Sequence, residues 1–107
     1  MRNKYKAKKT VVDGITFDSK AESVRYCELR MRLKDGEISD LKLQPKFELV
    51  PKSTAEKPVV YIADFTYTEN EQHIVEDVKG MKTRDYIIKR KLFKQKYPDI
   101  VFREVVR

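Results

Sequence analysis

Three residues raise the chemical question first: Asp64 in Ile62-Ala63-Asp64-Phe65, and Asp77 and Lys79 in Val75-Glu76-Asp77-Val78-Lys79-Gly80. They lie in two β-prone stretches, VVYIADFTYT and HIVEDVK, separated by a short polar turn near Glu69–Gln72. A turn symmetric about the Asn70–Glu71 bond sets Asp64 directly opposite Asp77. Because side chains alternate along a strand, one face then carries Ile62, Asp64, Thr66, Val75, Asp77 and Lys79. The other carries Tyr61, Ala63, Phe65, Tyr67, Ile74 and Val78, with Glu76 as its only charge. Two opposed carboxylates repel each other unless a proton or a cation sits between them. Mg²⁺ resolves that conflict, since it favours one or two carboxylates and completes its octahedron with water and substrate phosphate. The plainer alternative is a solvated sheet edge on which Asp64 and Lys79 form a diagonal ion pair. A slip of one residue in the register would also part the two aspartates.

Elements on either side must hold this group in place. Ser19 opens a helix that ends before Gly36, and on its wheel Glu22, Tyr26, Leu29 and Leu33 form one stripe. A charge heading an apolar stripe points toward the interior. Ser19 and Glu22 also fit a capping box, in which the glutamate folds back on its own helix. Thr83 opens a second helix that stops before Pro98. Its apolar arc is Tyr86, Ile88, Leu92, Phe93 and Tyr97, with Lys89 inside it. Lys89 either reaches the acidic group or packs its stem and sends its amine to solvent. Arg90, Lys91 and Lys94 point elsewhere, as a solvated or phosphate-facing surface would. Before the first helix, Asp13-Gly14 between two β-prone triplets signals a hairpin. Leu41–Leu43 and Phe47–Val50 read as short strands, residues 51–58 as a polar loop, and IVFREVV as a last strand. Residues 1–9 read as a flexible basic arm, and 10–107 as one domain.

Composition narrows the class of partner. The chain has 107 residues, 40% hydrophobic and 38% charged, and a net charge of +7 from 24 Lys and Arg against 17 Asp and Glu. That is a folded chain with one core and a bias toward polyanions. Cys27 is the only cysteine and reads as an inert helix residue, so an internal disulfide is excluded and a reducing, cytoplasmic setting is expected. With His73 as the only histidine, a structural zinc site is also excluded.

The spacing of Asp64 and Asp77-x-Lys79, preceded by a helix bearing Glu22, resembles the PD-(D/E)XK nuclease superfamily. More closely, the chain resembles a phage and prophage family of small proteins of unassigned function, placed near Holliday-junction-resolvase-like nucleases. The shared features are the helix start Ser19-Lys20-x-Glu22, the stretch Gln44-Pro45-Lys46-Phe47-Glu48-Leu49, and Val78-Lys79-Gly80-x-Lys82-Thr83 running into a Lys-rich helix. Ala63 stands where the superfamily has its name-giving proline, and Asp77 where Glu is more frequent. The resemblance implies an α/β, restriction-endonuclease-like fold. Its central mixed sheet has four to five strands flanked by two helices (an αβββαβ core), here with an N-terminal β-hairpin.

It also implies a phage- or prophage-encoded, Mg²⁺-dependent endodeoxyribonuclease, with Mn²⁺ as a substitute, acting on DNA in a bacterial host cell, with branched DNA or Holliday junctions as candidate substrates. Carried over by position, Asp64, Asp77 and Glu22 bind the metal, Lys79 acts at the reacting phosphate, and Gln44 is a weaker candidate. Arg84, Lys89, Arg90, Lys91 and Lys94 would meet backbone phosphates. By analogy with enzymes that cut branched DNA, a homodimer is expected. One alternative is a DNA-binding protein of the same fold without cleavage. Another is a basic RNA-binding domain, which the core-like neighbours of Tyr61, Phe65 and Tyr67 argue against.

Overall fold

The computed structural model describes residues 9–107. Apart from Lys9, the basic arm expected over residues 1–9 lies outside them. The first hairpin pairs β1 (Thr10–Val12) with β2 (Ile15–Phe17) through a turn in which Asp13 and Gly14 have φ of 53° and 75°. Positive φ at both central positions is what a two-residue hairpin turn of this hand needs, and Asp-Gly supplies it at low cost. Helix α1 (Lys20–Lys34) follows, capped by Ser19, whose Oγ accepts from the Glu22 N–H. It ends at Gly36, in the left-handed region with φ of 78°.

The main sheet has four strands in the order β3 (Ser39–Leu43), β6 (Phe65–Glu69), β7 (Gln72–Lys79) and β8 (Val101–Val106). The first two pairings are antiparallel and the last is parallel. The crossover that a parallel pair requires is helix α2 (Arg84–Lys96), capped by Thr83. The register of β6 on β7, with Phe65 opposite Glu76 and Glu69 opposite Gln72, is the one expected from a turn centred on Asn70–Glu71. Both turn residues take positive φ, 51° and 65°.

The stretch read as one strand from Val59 to Thr68 is two. β5 (Val59–Ile62) pairs with β4 (Lys46–Val50) in a separate two-stranded sheet. The cause lies across the ladder. Leu43 pairs with Phe65, and the pairing resumes with Lys46 opposite Ile62, so Gln44-Pro45 faces Ala63-Asp64 at the gap. Pro45 has no N–H to donate, and Gln44 takes a left-handed φ of 52°. The ribbon therefore turns a corner there, held by Gln44 N–H to Asp64 O (2.9 Å) and Ala63 N–H to Pro45 O (3.1 Å).

The corner divides the core. Phe65, Tyr67 and Ile74 pack under α1 with Phe17, Tyr26, Leu29 and Ile38. Beyond the corner, Tyr61 and Ala63 join Leu49, Val75, Tyr86 and Phe93 on the α2 side. The expected sharing of one face by Tyr61, Ala63, Phe65 and Tyr67 is thus corrected, since the bend sends the first pair to the opposite cluster. The apolar arc of α2 is also narrower than expected, because Ile88 is 53% exposed. Two positions from Tyr86 is a rotation of about 200° around a helix, which puts Ile88 on the far side.

One of the buried charges lies under α1. Glu76, on the α1 face, is 0% exposed. Arg25 from α1 clasps it, with Nε 2.6 Å from Oε2 and Nη2 2.9 Å from Oε1, and the Tyr67 hydroxyl donates to Oε1 at 2.6 Å. No described helix is long and apolar enough to cross a membrane.

Candidate functional site

The corner of the ribbon, the end of β7 and the first turns of both helices meet at one end of the main sheet. Asp64 sits in the bend just before β6, one step beyond the last β6–β7 pair, and so stays level with Asp77. Its Oδ2 accepts from the Val78 N–H at 2.7 Å, which fixes the carboxyl across the start of β6 and the end of β7. Asp77 is 1% exposed, so it does not belong to a solvated sheet edge. Its Oδ2 accepts from the hydroxyl of Tyr61. Its Oδ1 lies 3.7 Å from the Lys79 ammonium.

Glu22 arrives from the first turn of α1 and is 8% exposed. Among the described residues, no donor is bonded to its carboxyl. Only the Ser19 half of the capping box forms, with Ser19 Oγ accepting from the Glu22 N–H at 3.1 Å. Burial, then the charges of Asp18 and Asp77, push the Glu22 carboxyl up to about 7, against a weaker pull from Lys79. Burial, the charge of Asp77 and a hydrogen bond shared with it hold Asp64 well above the ordinary carboxylate range. Three carboxyls are thus gathered where Lys79 offsets only part of their charge.

Lys79 is placed as closely as the acids. Its Nζ lies 4.2 Å from the centre of the Tyr86 ring, a cation on an aromatic face. Tyr86 is held in turn through its hydroxyl by Glu104, which also binds Arg90 (2.8 Å) and Lys82 (3.1 Å). Burial would raise the Glu104 carboxyl, but hydrogen bonds from Tyr86, Lys82 and Arg90 outweigh it and hold it down at about 2. A carboxyl depressed in the folded state stabilises the fold above its unfolded value, near 4.5. That contribution disappears as pH falls toward 2. Glu104→Gln is accordingly expected to cost about 2 kcal/mol at pH 7. In melting curves, its gap from the parent should close between about pH 4.5 and pH 2.

Next to Lys79 opens a cavity of about 300 Å³ lined by Tyr61, Lys79, Thr83, Asp85, Tyr86 and Lys89 among others. Lys89 therefore faces the same hollow as Lys79, with its ammonium 3.6 Å from Asp85 Oδ2. Gln44 is exposed and touches the group only through its backbone, by the bond to Asp64 O. Of the other basic residues on α2, Arg84, Lys91 and Lys94 are exposed, whereas Arg90 is engaged by Glu104. Three contributors escaped the sequence reading: Asp18, Tyr61 as a partner of Asp77, and Tyr86 as the seat of Lys79. Only Asp18 left a local trace, as an acid directly before the Ser19 cap.

The donor set suits a hard divalent cation, because carboxylate oxygens are the ligands Mg²⁺ and Mn²⁺ prefer. Among the described residues, no three acidic, histidine or cysteine side chains stand as a finished ligand set. Fold and site together define a compact α/β protein with a mixed sheet, two helices and a carboxylate–lysine group at the sheet's end. The chain belongs to the family described as Protein of unknown function (DUF1064), whose model matches residues 2–107. No curated protein matches it.

Proposed function

We propose that this protein is a metal-dependent nuclease of the PD-(D/E)XK type that hydrolyses phosphodiester bonds in DNA. One observation carries the reading: Asp64 is bonded to β7 level with the buried Asp77, whose Oδ1 lies 3.7 Å from the Lys79 ammonium, and the buried Glu22 carboxyl feels the charges of both Asp77 and Lys79. With the β4–β5 arm inserted between β3 and β6, the two helices and the main-sheet strands follow the order α1, β3, β6, β7, α2, β8, which supports an αβββαβ core of that superfamily's kind. Asp64, Asp77 and Glu22 would hold Mg²⁺ or Mn²⁺, which when bound supplies Lewis acidity toward the scissile phosphate. Lys79 stabilises the negative charge that grows on that phosphate during attack. A partly buried ammonium does this more strongly than a solvated one. The exposed Arg84, Lys91 and Lys94, with Lys89 at the cavity, contact neighbouring backbone phosphates, so DNA binding weakens steeply with salt.

The test is incubation of the full chain with branched, duplex and single-stranded DNA in Mg²⁺, Mn²⁺ or EDTA. Cleavage of at least one of these DNAs in the divalent ions, stopped by EDTA, is expected. Cleavage that survives chelation overturns the mechanism. DNA binding that is equal with and without metal, with no cleavage, overturns the enzyme and favours a binding protein of the same fold.

A further inference from the structure

We infer that Tyr61 is a positioning residue that fixes Asp77 as a one-oxygen metal ligand, an inference that rests on the metal site proposed above. Asp77 has two carboxylate oxygens. Oδ2 accepts from the Tyr61 hydroxyl, and Oδ1 is the oxygen near Lys79. Asp64 is arranged in the same way, with Oδ2 committed to the Val78 N–H. Each aspartate therefore has its Oδ2 committed to a donor of the protein, and on Asp77 it is Oδ1 that lies toward Lys79. A bidentate grip by either residue would have to compete with that hydrogen bond for the same oxygen.

Tyr61 is suited to this because its ring cannot move aside. It is 3% exposed and lies within 6.5 Å, centre to centre, of Tyr86, Phe93 and Phe102. It is carried by β5, which has no hydrogen-bonded pairing with the main sheet. The corner at Ala63-Asp64 brings it back over β7, so the residues before and after the bend approach Asp77 from different directions. A partner that orients a metal-ligating carboxylate is worth 10–100-fold in metal affinity or activity.

Removing the hydroxyl while keeping the ring isolates this role. In titrations of the metal-free full chain with Mn²⁺, followed by calorimetry or by the electron-spin signal of free Mn²⁺, Tyr61→Phe is expected to bind about 10–100-fold more weakly than the parent. In cleavage assays its rate should recover as Mn²⁺ is raised, which a general loosening of the fold would not produce. Tyr67→Phe is the control. It also deletes a buried hydroxyl, but one bound to Glu76 on the opposite face, and it should leave Mn²⁺ affinity unchanged. A Tyr61→Phe affinity within about threefold of the parent, or an equal loss in Tyr67→Phe, overturns the positioning role and leaves the nuclease reading standing. Failure of the unmodified chain to bind Mn²⁺ overturns both.

Discussion

Replacing Lys79 with alanine is expected to lower the proposed DNA cleavage rate by about 10²–10³-fold and to leave Mn²⁺ affinity equal or tighter. The size follows from where the amine sits. Its side chain is 25% exposed and is held between Asp77 Oδ1 and the face of Tyr86. A donor fixed in advance needs no reorganisation when charge develops on the phosphate, and loss of one such donor typically removes that much rate. The direction of the metal effect follows from charge alone, because deleting a cation beside three carboxyls makes the site more attractive to another. Lys79→Arg should not restore the rate, since a planar guanidinium cannot take the place of a compact ammonium seated on an aromatic ring. Single-turnover cleavage at saturating Mn²⁺, beside a Mn²⁺ titration, separates these effects. A variant that keeps more than about a third of the parent rate rules out the role assigned to Lys79.

Arg25→Ala is expected to lose about 3–5 kcal/mol of stability, because it strands a carboxylate with no exposure to water. Glu76 would keep only the Tyr67 hydroxyl out of a triad that now includes the two-pronged clasp of Arg25. Against a total of about 5–15 kcal/mol for a typical domain, that is a drop in melting temperature on the order of 15 °C. Exposed pairs behave differently. Arg32 with Glu37, whose side chain is 55% exposed, should contribute no more than about 1 kcal/mol. Joint replacement by Arg25→Met and Glu76→Leu removes both charges and should recover most of the loss. Urea unfolding of the two variants beside the parent gives the comparison. If Arg25→Ala costs less than about 1 kcal/mol, the clasp is not what keeps Glu76 folded inside.

Much of this arrangement can be read locally. Asp13-Gly14, Ser19 and Thr83 mark a turn and two helix starts because each satisfies its own neighbours' backbone. The Asn70–Glu71 turn sets the β6–β7 register because few residues separate the strands, and from that register the nearness of Asp64 to Asp77 follows. What stayed hidden depends on residues far apart in the chain. The corner at Ala63-Asp64 has no signal of its own; it arises from Pro45, on the strand opposite. Arg25 looks like any solvent-facing charge on α1 until Glu76, 51 residues away, is placed beneath it. The aromatic seat of Lys79 likewise needs the β7–α2 geometry before Tyr86 can be recognised as more than core.

The bent ribbon also ties the fate of the acidic group to local breathing. Tyr61 precedes the corner and Asp64 lies in it, so fraying of the short β4–β5 arm would disturb both a proposed metal ligand and the hydroxyl that steadies its neighbour, while α1 and its cluster stayed packed. A cation held at the proposed site would then work as a staple across two halves of the molecule. Backbone amides of that arm should exchange with solvent more slowly once the ion is in place.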